Sequence, residues 1–384
     1  MAVALVLWVG AAGGCRSART SVAAPPGAVL AAAPAPERDY LILVASEAVD
    51  RIALVRFGPD GGRVEREHAI GLNRTDPDGP HGLGLSPDGE HYYVTTGHGT
   101  PNGHLWKFDV RDSRVAGRVE LGLFPASLQV SPDGHWVYVV NFNLHGDMVP
   151  SSVSVVAAEA MVEVARLRTC TMPHGSRTNP QGTRHYSACM MDDVLVEIDT
   201  GELEVVRHFL LTPGGERGMA GAPADHAHHA AGHGSVPPRC SPTWAATSAD
   251  GSRVFVACNA ANDIVEIDVE TWALVRRLPA GDGVYNLAAS PDGRLLVATN
   301  KRGNSVSVFD LAAGTEIARI PTLRPVVHGV AISDDGRYAF VSVEGRGAMP
   351  GTVEMMDLAA GSRVASVDVG QMAGGIDFFR SESR

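Results

Sequence analysis

Lysine is almost missing from this chain of 384 residues: it occurs only at Lys107 and Lys301, and arginine supplies the remaining positive charge. We read that bias as genomic composition. Basic charge is scarce altogether, with 32 Lys and Arg against 43 Asp and Glu and a formal net charge of −11. A nucleic acid needs a basic face to displace its counterions, so that class of partner is excluded. The apolar segment Met1 to Gly14 is too short to cross a bilayer. No Gly-rich phosphate loop follows a strand, and Cys-x-x-Cys-His, Gly-x-Ser-x-Gly and paired Cys-x-x-Cys motifs are absent, which argues against nucleotide, covalent haem, serine-hydrolase and zinc-ribbon chemistry. What is plentiful is apolar residues at 45%, enough for a sizeable core, together with 43 Gly and 24 Pro. Glycine and proline at this level point to many short strands separated by turns.

The segment Met1 to Gly14 runs through Ala12, Gly13 and Gly14 into Cys15, which resembles a bacterial lipoprotein signal, although no Lys or Arg precedes it. The resemblance implies a signal peptide over 1–14, lipidation at Cys15 and an extracytoplasmic protein in the periplasm or cell envelope, anchored by lipid to the outer membrane. Residues 15–38 are rich in Ala and Pro and cannot bury a core, so they read as a tether; the folded part is expected over 39–384.

Within that part a tetrapeptide recurs: Ser86-Pro87-Asp88-Gly89, Ser131-Pro132-Asp133-Gly134, Asn179-Pro180-Gln181-Gly182, Ser248-Ala249-Asp250-Gly251, Ser290-Pro291-Asp292-Gly293 and Ser333-Asp334-Asp335-Gly336. Strands such as Val137-Tyr138-Val139-Val140 and Val254-Phe255-Val256 follow these turns. Alternating strands ending in Asp come next, such as Ile264-Val265-Glu266-Ile267-Asp268, and then a closing strand. Four strands per repeat, entered through a turn in which Pro presets φ and Gly supplies a positive one, make the blade of a β-propeller. Tyr40 to Ile70 supplies three strands without an inner one, and the chain ends on Gly374-Gly375-Ile376-Asp377-Phe378-Phe379, a lone inner strand. The expected fold is therefore all-β: a seven-bladed β-propeller whose N- and C-terminal strands share one blade.

On the Ser-Pro-Asp-Gly turn and on strands such as Val254-Phe255-Val256-Ala257-Cys258-Asn259, the chain from residue 39 onward resembles the seven-bladed propellers of the YVTN repeat family. The resemblance implies the fold and leaves function open. Related propellers include lactonases, the haem domain of nitrite reductases, the copper-cluster domain of nitrous oxide reductase and binding scaffolds.

Equivalent positions can be compared within one repeating chain. At the start of the inner strands stand His81, Ala126, His174, Thr243, Tyr285 and His328, and each of the three histidines precedes a glycine. Inner strands line the channel, so His81, His174 and His328 are expected at its mouth, either as a transition-metal site or simply binding water and backbone. Cys170, Cys189, Cys240 and Cys258 fall on one face of two neighbouring blades, beside Met172, Met190 and Met191. They read as disulfides, with Cys170–Cys240 preferred if a single bridge forms, or as a soft-ligand site selecting copper, with zinc next. The turn spacings of 45, 48, 69, 42 and 43 residues place an insertion at about 211–238, whose Met219, Asp225, His226, His228, His229 and His233 form a candidate metal-capturing loop.

Three functional expectations follow. The preferred one is a non-enzymatic binding scaffold, monomeric, with copper or zinc at the channel mouth and an envelope protein or small ligand on one face. A second is a lactonase-like hydrolase with a channel-mouth histidine as base and Arg177 or Arg324 supporting the oxyanion. A third is a metal-free protein-interaction scaffold.

Overall fold

The computed structural model describes residues 35–73, 75–98, 102–223 and 237–383. The signal, Cys15 and most of the tether lie outside the described residues, as do Asp225, His226, His228, His229 and His233 of the insertion. Among the described residues no helix is long and apolar enough to cross a membrane.

Every repeat turn folds as its residues dictate. Gly89, Gly134, Gly182, Gly251, Gly293 and Gly336 all have φ between 68° and 76°, where a Cβ would be strained. In the first turn the Ser86 hydroxyl donates to Asp88, and Ser86 Oγ accepts the N–H of His91 at 2.9 Å. Asn179 does the same work in the divergent copy, its Oδ1 accepting from Thr183 and Arg184.

The strands form seven antiparallel sheets, six of which carry one of these turns in their first hairpin. Blades 1 to 6 begin on the inner strands Pro80–Leu85, Pro125–Val130, Pro173–Thr178, Pro242–Thr247, Val284–Ala289 and Val327–Ile332. In blade 7 the C-terminal strand Ala373–Glu382 is innermost and pairs with Asp39–Ser46 from the other end of the chain, followed by Arg51–Gly58 and Gly61–Ala69. Both ends thus build one blade and no sheet edge is left open between the first and last repeats. Second strands such as Arg253–Cys258 are buried on both faces between neighbouring sheets. Outer strands such as Val162–Thr171 alternate between exposed and half-buried positions over most of their length.

Adjacent inner strands are clasped across six of the seven blade junctions. The backbone carbonyl of the second inner-strand residue accepts a hydrogen bond from a side chain of the preceding blade: Ala126 from Thr95, His174 from Ser127, Thr243 from His174, Tyr285 from Thr243, His328 from Thr299 and Gly374 from Ser342. Burial of these carbonyls is thereby matched. The glycine after each histidine has a packing reason. A Cβ on Gly82 would stand 2.3 Å from the Ala126 carbonyl oxygen, and one on Gly175 2.5 Å from that of Thr243.

The insertion lies partly within the described residues. Residues Arg217–Ala220 add a fifth, outermost strand to blade 3, paired with Glu204–Leu210. Met219 is exposed on this strand, at the perimeter rather than at the channel.

Candidate functional site

The second residues of the inner strands converge on the channel axis. Ring centroids of His81 and His328 lie 5.4 Å apart, those of His81 and His174 6.1 Å, and Tyr285 stands 4.8 Å from His328 and 5.3 Å from His174. The three histidines nevertheless have different surroundings. His174 is saturated: Nδ1 donates to the Thr243 carbonyl at 2.9 Å, and Nε2, 3.0 Å from the Tyr285 hydroxyl, accepts its proton. Burial, reinforced by the nearby His81, drops its pKa to about 3. His328 is also buried and held well below its ordinary value, by burial first and by Lys301 and His81 next; its Nδ1 has no hydrogen-bond partner among the described residues.

His81 differs again. Its Nδ1 lies 2.9 Å from Glu47 Oε2, and its Nε2 has no partner among the described residues. Glu47 sits in the short 3-10 turn Glu47–Val49 of blade 7, is buried, and also receives Nε2 of His98. Burial alone would raise its pKa, but His81 and then His98 outweigh that and hold the carboxyl well below the usual range. His98 in turn meets His145 at 3.3 Å. On the opposite side, the Lys301 ammonium is 2.7 Å from Glu344 and 4.4 Å from the centroid of the Tyr285 ring. Burial opposes that charge, yet Tyr285 and Glu344 together raise the lysine pKa. Glu47, His98, His145, Lys301 and Glu344 were missed by sequence reasoning. The signal available was Lys301 itself, one of two lysines in an arginine-rich chain.

The cysteines correct two expectations. Cys170 is bonded to Cys189 and Cys240 to Cys258, with Cα separations of 5.9 and 4.5 Å. The preferred Cys170–Cys240 bridge is not formed. Pairing runs within a blade because the hairpin register sets Pro173 opposite Cys189 and Pro242 opposite Cys258, bringing each upstream cysteine against the end of its own second strand. All four sulfurs are buried and oxidised, so they offer no thiolate and the expected soft-ligand cluster on them is not present. Met172 and Met190 pack instead with Phe124, Ala126 and Phe142. Among the described residues, the one His/Cys/Asp/Glu group whose donor atoms all lie within 4.8 Å of one another is Asp88, Glu90 and His91, on a turn. Arg324 is likewise not at the channel; it is spent on Asp368 and on the carbonyls of Pro350 and Gly351.

Below the histidines the channel widens into a chamber of about 250 Å³, lined at its inner end by His81, His328, Trp244 and Asn286 and farther out by Gln129 and Arg177. Asn286 and His328 are under a tenth exposed, whereas His81, Trp244, Gln129, Arg177, Thr247 and Asp377 are half-buried. His81 and His328, expected at the channel mouth, line one end of this chamber, while His174 is not among its lining residues.

The buried imidazoles make stability pH-dependent. His174 and His185, both with pKa about 3 through burial, and His328 are neutral when folded and regain an ordinary pKa of about 6.5 when unfolded. The unfolded chain therefore binds more protons, so stability falls as pH drops below about 6.5 and goes on falling toward 3. Glu47 adds a loss of the same sign below about 4.5, while Glu354 and Asp377, raised by burial, oppose it in the carboxylate range. Scanning calorimetry is expected to show a Tm plateau above pH 7 and a steady decline from pH 6.5 to 4; a Tm flat over that interval would contradict the assignment.

A family model described as lactonase, seven-bladed β-propeller, matches residues 46–344. No curated protein matches the chain. Similar solved structures include the hydrazine synthase of Kuenenia stuttgartiensis, 21% identical with a TM-score of 0.57 over 75% of this chain and 79% of that one. A functionally unknown protein from Desulfotomaculum acetoxidans DSM 771 is 14% identical with a TM-score of 0.65, over 88% and 98%. The dihydro-heme d1 dehydrogenase NirN in complex with DHE is 17% identical with a TM-score of 0.57, over 88% and 74%. At these identities the structures share the fold.

Proposed function

We propose, from the premise that this chain belongs to the lactonase family of seven-bladed β-propellers, that it hydrolyses a small lactone or ester held in the central chamber, with His81 as general base. The observation that carries this reading is the part-buried Glu47–His81 pair at one end of the chamber, where Nε2 has no partner among the described residues. The carboxylate fixes the tautomer with Nδ1 protonated, so Nε2 is the basic nitrogen. His81 Nε2 takes a proton from water as its oxygen bonds to the carbonyl carbon. Glu47 compensates the imidazolium that forms, the ring C–O bond then breaks, and the proton passes to the departing alkoxide. A panel of γ- and δ-lactones followed by pH-stat tests it; no turnover on any member would end the reading.

A second reading keeps a transition metal, copper before zinc. It is favoured by the unpartnered Nδ1 of His328 beside the free Nε2 of His81, with Glu47 behind the latter as an outer-shell carboxylate. Metal bound to untagged protein, counted by mass spectrometry, is expected near one per chain and to vanish in His328→Ala; metal-free protein after copper and zinc loading would exclude it. On either reading we place the protein outside the cytoplasm, held by lipid at Cys15, because two buried disulfides belong in an oxidising compartment.

A further inference from the structure

The fifth residues of the seven inner strands, in blade order, are Gly84, Gln129, Arg177, Ala246, Ala288, Ala331 and Asp377. Four of them have no side chain beyond a methyl group, and this is what opens the chamber at that level. Arg177 projects into it with a single side-chain hydrogen bond, from Nη1 to Gln129 Oε1. A guanidinium carries five N–H donors, so four are left without a protein partner among the described residues. Asp377 shares the chamber yet forms no ion pair with Arg177 within 4.0 Å. Its two oxygens each accept one backbone N–H, from Leu85 and Phe378 at 2.9 Å, and its charge acts on Arg177 only through space.

Farther in, the same walls carry three more unmet polar atoms, all buried: Nε1 of Trp244, Oδ1 of Asn286 and Nδ1 of His328. Buried polar groups without partners are costly and rare, and these surround one cavity. Water matches single donors and acceptors, and Asp377 acts on the cation through space without a hydrogen bond to it, so the open donors of the guanidinium still face the chamber. A carboxylate fits that planar fork bidentately. The volume sets the size. About 250 Å³ is room for about eight waters and lies below the range of drug-sized pockets, so the ligand is a small acid.

We infer that the central chamber is a binding site for small organic carboxylates bearing hydroxyl groups, with Arg177 taking the carboxylate and Trp244 and Asn286 the polar atoms of the other end. The inference deepens the hydrolytic reading by naming a ligand class, but it concerns binding alone and does not need His81 to act as a base.

Isothermal titration and thermal shift on the full chain, at constant ionic strength, would use acetate, lactate and gluconate against chloride and the neutral polyols glycerol and glucitol. Hydroxy acids are expected to bind and raise Tm where chloride and polyols do not, with affinity at least tenfold weaker in Arg177→Gln and retained in His81→Ala. Ala288→Leu, which fills the chamber without touching the arginine, should fold and lose binding. Equal binding by Arg177→Gln or Ala288→Leu, or no response to any carboxylate, overturns the inference. Carboxylate binding without lactone turnover would overturn only the hydrolytic reading, and turnover without carboxylate binding only this one.

Discussion

His81→Ala is expected to lower lactone turnover by about 10²–10⁴, the usual worth of a positioned general base. The magnitude follows from the site rather than from the residue type. His174 and His328 cannot take over, because the first has both nitrogens engaged and the second is buried without a carboxylate hydrogen bond to fix its tautomer. Glu47→Gln should cost less, about 10–100-fold, since an amide oxygen can still accept from Nδ1 but no longer offsets the imidazolium. The loss should appear in kcat more than in KM, because the proton moves only as the transition state is approached. Unchanged Tm and circular dichroism would show that the fold is intact. Full turnover by His81→Ala would remove the residue from the chemistry.

The second large effect concerns stability. Each disulfide closes a loop with a sequence separation of 19 or 18 residues, which on the chain-entropy model contributes about 3 kcal/mol. Removing one pair as Cys170→Ser with Cys189→Ser is expected to lower Tm by about 4 °C. Removing both should cost about 6 kcal/mol, within the total stability of about 5–15 kcal/mol that domains possess, so the fourfold variant should accumulate poorly. The wild-type chain expressed in a reducing cytoplasm should show the same defect. Calorimetry of the single-pair variants and soluble yield of the fourfold variant are the readouts. A fourfold variant melting within a degree or two of the wild type would show that the bridges are dispensable, and would weaken the case for an oxidising compartment as well.

The architecture was legible because its signal is local and repeated: six turns with a glycine at positive φ mark the first hairpin of six blades, and the unpaired strands at the two ends completed the seventh. The histidines were legible for the same reason, since alignment of one repeat on another puts His81, His174 and His328 at one level. Groups beyond the inner strands were outside that comparison. Glu47, Lys301 and Glu344 each directly follow the second strand of their blade, and His98 and His145 lie in the same connection of blades 1 and 2, a second repeated position that was not compared. The cysteines show a different failure. Their common face was read correctly, but the partner was sought across blades, whereas the hairpin register already brings the right one alongside. Arg177 was recognised as a candidate, but that most of its donors face open space depends on which side chains the other blades carry at its level, a property of the assembled ring.

The side-chain clasps across six blade junctions have one more consequence. They fix the spacing of the inner strands at the level of the second residues, of which Ala126, His328 and Gly374 also line the chamber. At the fifth level the ties are Asp377 to Leu85, across the remaining junction, and Arg177 to Gln129, so a position such as Ala288 or Ala331, which carries no cross-blade side-chain bond, is where a residue can be exchanged without loosening the ring. A single frame of this kind can be re-equipped, one substitution per blade, to receive cations, acids or neutral molecules along the same axis.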